Sequence, residues 1–347
     1  ILAAKPDAEV VVNPLADGGE GTVDALIEGL GAKKIPVTVT GPLGEKVSCY
    51  YGFLEETKSA VMEMASAAGI TLVTKKDPLR ASTYGVGEMI ADALKRGCKN
   101  FMIGIGGSAT NDGGIGMLKA LGFEFFDEDG NDVGEFAAAL VKIEVIRTEN
   151  KNPLLSGAKF QIACDVKNPL CGKQGATYIF GPQKGVTEEQ KEQVDEAMRH
   201  YADVTKESLD CDFADCEGAG AAGGLGYAFL SYLAGELIPG VELILQATGL
   251  EEKMKNADVV VTGEGRLDAQ TVMGKAPVGV AALAKKYNAK VIAFAGSVAP
   301  EASVCNQAGI DAFFPIVRGV TTLEEAMKKE NAMENIAATA EQVFRLL

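Results

Sequence analysis

The sequence predicts an α/β fold: a doubly wound parallel sheet, interrupted by a second α/β domain. Three observations carry that expectation. Short apolar, β-branched runs ending in glycine-rich loops recur along the 347 residues, each followed by a helical pattern, as in a parallel sheet covered on both faces. The last three such runs stand about thirty residues apart, the length of a βαβ unit. The stretch 35–64 departs from the pattern and alternates apolar with polar residues, as half-exposed antiparallel strands do.

In chain order, AEVVVN (8–13) reads as a strand, and Val23, Leu26, Ile27 and Leu30 form the apolar face of the helix after it. IPVTVTG and VSCYYGFL are the alternating pair, with SAVMEM behind them. A helix with Val86, Met89, Ile90, Ala93 and Leu94 inward precedes the strand NFMIGIG (100–106), and a helix over 115–121 follows it. EDGND (128–132) is a turn, and KFQIACDV (159–166) is the next buried strand. TEEQ (187–190) has the form of a capping box and opens a charged helix with Val194, Met198 and Tyr201 inward. The uncharged stretch near 218–235 is too rich in glycine to span a membrane and reads as a loop and a buried helix. DVVVTGEG (258–265), KVIAFAGS (290–297) and AFFPIV (312–317) complete the strands. The first unit matches the C-terminal ones in style, so residues 1–40 and 236–347 are expected to build one discontinuous domain. Residues 41–235 would form the inserted one.

Composition bounds the function. A net charge of −15 lacks the basic footprint of a nucleic-acid binder and is repelled by an anionic membrane surface. Any anionic ligand must be held by local cations, helix N-termini or a metal ion. His200 is the one histidine, and the seven cysteines include no CxxC pair. A His/Cys zinc site and a histidine triad are therefore disfavoured, and scattered cysteines fit a reducing cytoplasm.

In open α/β sheets ligands bind beyond the carboxyl ends of the strands. Four loops expected there place acids beside glycines: Asp17 and Glu20 in PLADGGEGT; Asn111 and Asp112 in GIGGSATNDGG; Asp165, with Asn168, in CDVKNPLCG; Glu264, Arg266 and Asp268 in TGEGRLDAQT. In GGSATNDGG, Gly106 and Gly107 would let backbone approach oxygen atoms, and Ser108 and Thr110 add hydroxyl donors, the composition of a phosphate cradle. Asp112 would hold Mg2+ or take a proton from an alcohol, or, with Asn111, simply cap the following helix. Lys184 in FGPQKG and Lys275 at a helix start are candidate cations beside Arg266, which can bind a carboxylate bidentately.

Two dinucleotide fingerprints compete. Gly104, Gly106 and Ala109 fit GxGxxG/A after a strand, and an oxidoreductase acting on a small hydroxy acid is the alternative they raise. Gly218, Gly220 and Gly223 match GxGxxG in full but follow DCDFADCE, which is not a buried strand. No Walker P-loop is present.

Six co-linear blocks, PLADGGEGT, GIGGSATNDGG, CDVKNPLCG, FGPQKG, GAGAAGGLGYA and TGEGRLDAQT, resemble the bacterial glycerate kinase type 1 family, from near residue 8 to the C-terminus. The resemblance implies ATP-dependent phosphorylation of D-glycerate to 2-phosphoglycerate, between a flavodoxin-like domain and an inserted α/β domain, by a monomer or homodimer. It makes Asp112 and Asp165 candidates for proton acceptor or Mg2+ ligand and Arg266 the clamp on the glycerate carboxylate. Asp17, Glu20, Glu264 and Asp268 would complete an acidic rim. Family members usually carry a first strand and a DSFKGS-like segment ahead of the position of Ile1, so the flavodoxin-like sheet is expected to lack that strand here. A sensor of sugar acids without catalysis is the remaining alternative.

Overall fold

The computed structural model describes residues 1–13, 15, 23, 24, 27, 31–273 and 275–347. It divides into two compact units, Gly18–Leu243 and a smaller one made of Ile1–Asp17 with Ile244–Leu347.

The larger unit is built on a six-stranded sheet. β1 (Lys33–Thr40) and β2 (Lys46–Leu54) pair antiparallel along eight registers, and β2 pairs antiparallel with β3 (Ser59–Glu63). β3 then pairs parallel with β4 (Asn100–Gly104). A short ribbon of β5 (Glu124–Phe126) and β6 (Val145–Arg147) stands apart, and β7 (Lys159–Ala163) and β8 (Glu236–Ile238) extend the parallel part in the order β1-β2-β3-β4-β7-β8. The two kinds of strand follow the sequence pattern. β1 and β2 alternate because one face meets water, whereas Phe101, Met102 and Ile103 of β4 form an unbroken apolar run because both faces are covered.

The helix Tyr84–Lys95 buries the five apolar residues expected of it. The helix Lys191–Leu209 buries Val194, Met198 and Tyr201. That helix begins at Lys191, four residues after the expected cap at Thr187. One half of the capping box nevertheless exists, since Thr187 donates its N–H to the Gln190 side chain at 3.1 Å. The glycine-rich stretch ends in the buried helix Leu225–Leu233. No helix among the described residues is long and apolar enough to cross a membrane.

In the smaller unit β9 (Val259–Leu267), β10 (Lys290–Val298) and β11 (Ala312–Pro315) form a parallel sheet in the order β11-β10-β9. The helix Ala276–Lys285 returns the chain from β9 to β10, and its Val280, Ala281, Leu283 and Ala284 share a core with Val291, Ala293 and Ala295 of β10.

Three expectations are corrected. Residues 8–13 do not form a strand, and Val11 and Val12 are exposed. A strand exists through its ladder, and no strand among the described residues is in register with this segment. Residues 18–40 and 236–243 belong with the larger unit, because β1 is laddered to β2 and β8 to β7. Finally, TGEGRLD is largely strand: β9 continues to Leu267 because β10 pairs with it as far as Val298. The helix face expected at 23–30 falls partly outside the described residues; Val23, within it, is helical and buried.

The loop 218–224 explains the second GxGxxG pattern. A Cβ on Gly220 would lie 2.2 Å from the carbonyl oxygen of Pro169, and one on Gly223, at φ +70°, would lie 2.2 Å from that of Thr110. These glycines permit backbone-to-backbone packing of 218–224 on the loops that follow β4 and β7. Gly223→Ala combines overpacking with a left-handed backbone and is expected to cost at least about 2 kcal/mol in urea unfolding. Gly130→Ala, also at positive φ but with open space around its Cβ, should cost about 1 kcal/mol.

Candidate functional site

Parallel neighbours end on the same side of a sheet, so the loops after β3, β4 and β7 are adjacent. The loop after β4 is stitched to the segment after β3. Met64 N–H donates to the carbonyl of Gly104 at 2.9 Å, Ile70 N–H to that of Gly107 at 2.8 Å, and Ala109 N–H to that of Ala68 at 2.9 Å. This leaves Gly106 and Gly107 exposed, with Gly107 at φ +72°. Behind them Ser108, Thr110, Asn111 and Asp112 are buried. Asn111 donates its side-chain amide to Thr177 Oγ1 at 3.0 Å. Asn111 Oδ1 and Thr110 Oγ1 are buried with no hydrogen-bond partner among the described residues.

Asp112 is not placed to meet an alcohol or a metal ion. It is fully enclosed, and four donors converge on its carboxylate: Thr83 N–H at 2.8 Å, Thr83 Oγ1 at 2.7 Å, and the N–H groups of Gly114 and Gly116, each at 3.3 Å. Burial raises its pKa against the lowering effect of those hydrogen bonds. Thr83 Oγ1 in turn accepts Met117 N–H at 2.9 Å. Asp112 thus satisfies the opening turn of the helix Ile115–Ala120 and ties it to the start of Tyr84–Lys95, which is the capping role. Nothing in the sequence singled out Thr83, because an isolated threonine carries no sign of its tertiary partner.

Lys184, the last residue of the helix Ala176–Lys184, is also interior. Its ammonium donates to Ser108 Oγ and to the carbonyl of Thr110, both at 2.7 Å. Burial pushes its pKa down to about 7, against the upward pull of the charge on Asp112.

Asp165 is exposed in the loop after β7, and one of its oxygens accepts Gly240 N–H at 2.9 Å. Asn168 braces that loop, donating to the carbonyl of Gln174 at 2.7 Å while its own carbonyl accepts Gly220 N–H at 3.0 Å. Asp195, absent from the sequence-based candidates, accepts Gly172 N–H with both oxygens at 2.9 Å. The larger unit therefore gathers Gly106, Gly107, Ser108, Asp165, Asn168 and Lys184 around the carboxyl ends of β4 and β7.

The smaller unit has its own cluster where β9 ends. Glu264 and Arg266, two apart on the strand, project to the same face. Thr271, fully buried, donates its hydroxyl to Glu264 at 2.5 Å and accepts Asp268 N–H at 3.1 Å. Lys275 stands 3.5 Å from the second Glu264 oxygen, and the exposed Arg266 lies 3.7 Å from Asp268. Asp268 also accepts Gln270 N–H at 2.9 Å. Thr271 is the positioning group that sequence reasoning missed. Asp17 and Glu20 lie outside the described residues. Among the described residues no group of three or more acidic, histidine or cysteine side chains could hold a metal ion.

The first dinucleotide fingerprint does not have its geometry. That motif needs the strand to turn directly into a helix, but the helix after β4 starts at Ile115, and Ala109 is instead bonded to Ala68.

Comparison with known proteins gives one answer. The Glycerate kinase family matches residues 1–347. The chain is 45% identical to a glycerate kinase of Bacillus subtilis (strain 168) over 340 residues, 97% of this chain and 88% of that protein. It is 46% identical to a glycerate 2-kinase of Escherichia coli (strain K12) over 341 residues, 96% of this chain and 90% of that one. A solved structure from Salmonella typhimurium LT2, described as a glycerate kinase 2, superposes with a TM-score of 0.90 at 43% identity, covering 99% of this chain and 90% of that one.

Two outcomes follow from the buried charges. Asp112→Ala strands the donors of Thr83, Gly114 and Gly116, and should cost at least about 3 kcal/mol in urea unfolding. Lys184 has a native pKa of about 7 against about 10.4 unfolded. Between those values the unfolded chain holds a proton that the native one lacks, so Lys184 makes stability rise with pH. The Tm of the wild type should therefore gain on that of Lys184→Met between pH 7 and 9.5, as followed by differential scanning calorimetry.

Proposed function

We infer the function from one premise: the chain belongs to the glycerate kinase family. It transfers a phosphoryl group from ATP to D-glycerate, giving 2-phosphoglycerate; the name of its relative in Escherichia coli, a glycerate 2-kinase, supports the acceptor and the position. The observation that supports this most directly is the pair of exposed glycines, Gly106 and Gly107, backed by the buried ammonium of Lys184. In a chain of net charge −15 this is a local positive site at the carboxyl end of a parallel strand, where phosphate-type oxygens are ordinarily held.

In the transfer a glycerate hydroxyl oxygen forms the new O–P bond, the bond from the γ-phosphorus to the bridging oxygen breaks, and ADP departs with that electron pair. The hydroxyl proton must pass to a base. We assign it to Glu264, whose carboxylate Thr271 holds in place, with Lys275 beside it. Arg266, on the same face of β9, clamps the glycerate carboxylate, and Asp268 orients Arg266. The glycine loop and Ser108 hold substrate oxygen through backbone and hydroxyl donors. Thr110, Asn111, Asn168 and Asp112 fix the loops, not the ligands.

Mg2+ fits Asp165 and does not fit Asp112. Mg2+ takes one or two carboxylate oxygens and completes its shell with water and substrate phosphates. Asp165 offers an exposed carboxylate with one oxygen steadied by Gly240 N–H, whereas Asp112 is enclosed. Bound there with ATP, the ion would neutralise charge developing on the phosphates. Seven cysteines without a disulfide fit a reducing compartment, and we place the enzyme in the cytoplasm, as a monomer or homodimer.

A coupled assay of D-glycerate-dependent ADP release tests the reading. Glu264→Gln should lower kcat by about 100-fold or more while leaving the KM for ATP near that of the wild type. Arg266→Met should raise the KM for D-glycerate by about tenfold or more, the loss of a charge-assisted hydrogen-bonded pair. A protein that only binds sugar acids would release no ADP, and Glu264→Gln would change its affinity alone.

A further inference from the structure

We propose that Lys184 is a positioning residue for the transfer, a buried cation that turns the Ser108 hydroxyl outward to donate to an anionic oxygen of a substrate. The inference rests on the reading that the glycine loop holds such an oxygen, and it assigns the polarity of one donor within it.

The argument begins with donor bookkeeping. As an ammonium, the form it takes below about pH 7, Lys184 has protons to give and no lone pair to receive with, so in that form both of its 2.7 Å contacts run outward from it. Ser108 Oγ is therefore an acceptor in this pair, and its own proton has to point elsewhere. Among the described residues no acceptor is offered to that proton. Ser108 is 7% exposed and follows Gly106 and Gly107, which face solvent. The hydroxyl is thus left as a donor on the open side of the loop, and its acidity is raised by the cation bonded to its oxygen.

Placement supports the same reading. Lys184 ends a helix that stops at Gly185, φ +108°, and reaches a loop more than seventy residues earlier in the chain. Lys184 also bonds the Thr110 carbonyl, so removing it would loosen the loop as well. Ser108→Ala removes the proposed donor and leaves that second tie intact.

The test is a double-mutant cycle on the full chain at pH 6, where Lys184 is protonated, with kcat and the KM values for ATP and D-glycerate measured for wild type, Ser108→Ala, Lys184→Met and the double variant, and folding followed by thermal unfolding. Ser108→Ala should still fold, with a cooperative thermal transition at a lowered Tm, and lose at least about tenfold in kcat/KM for the substrate whose oxygen it meets. The KM that moves tells a phosphate oxygen of ATP from the glycerate carboxylate. Lys184→Met should lose at least as much, and the double variant should be no worse than Lys184→Met within twofold, because the hydroxyl is already misdirected. If Lys184→Met does not fold, the Ser108→Ala arm decides. An active wild type with Ser108→Ala within twofold of it, or losses that multiply in the double variant, overturns this inference alone. A wild type that releases no ADP with D-glycerate overturns the functional reading and this inference with it.

Discussion

Two charges that meet no solvent, Asp112 and Lys184, hold the loop between β4 and the helix Ile115–Ala120 from behind. Isolated, either would be costly to bury; here each carries hydrogen bonds that offset the loss of water. Asp112 supplies acceptors to a helix start that has no other cap, and Lys184 supplies donors to a hydroxyl and a carbonyl that would otherwise be buried unpaired. The surrounding elements serve this arrangement. Thr83 presents two donors from the start of one helix, and the helix Ala176–Lys184 ends where its last side chain reaches the loop.

Glycine makes that closeness possible. The loops after β4 and β7 and the stretch 218–224 pack main chain on main chain, and at Gly220 and Gly223 even a methyl group would occupy the space of a carbonyl oxygen. Backbone packed so closely is stiff, and a stiff backbone is what a loop needs if its N–H and O–H donors are to be fixed before a ligand arrives. The side chains that solve the interior problem are the polar ones. Among the groups facing outward are Gly106, Gly107 and the carboxylate of Asp165.

The smaller unit uses a different device. β9 carries its functional side chains within the strand, where pairing with β10 fixes their direction, and the buried hydroxyl of Thr271 fixes the rotation of Glu264. Lys275 and Arg266 lie among carboxylates, so the cations of this unit are partly neutralised before any ligand binds. In a chain of such net acidity the electrostatics are local, set by distances of a few ångströms, and the overall field contributes nothing attractive for an anion.

Periodicity made the strands from β1 to β4 and from β9 to β11 legible, because burial on one or both faces writes itself into the sequence as alternation or as an unbroken apolar run. The co-linear glycine and acid motifs made the family legible. Residues 8–13 show where this ends: AEVVVN has the composition of a strand, but a strand is completed only by a neighbour's ladder. Asp112 shows the same limit for chemistry, since Asn-Asp before a helix reads equally as ligand or cap until the enclosure around the carboxylate is known. Lys184 was legible as a candidate cation but not as an interior one. Thr83 and Asp195 had no signal at all, and Thr271, although inside TGEGRLDAQT, had none that marked it as a positioning group. The sequence by itself determined which segments become strands and helices and which loops carry chemistry, since those follow from local pattern. Only the tertiary structure decided which polar groups face a ligand and which are spent holding the backbone, because burial and hydrogen-bond partners are set by residues far away in the chain.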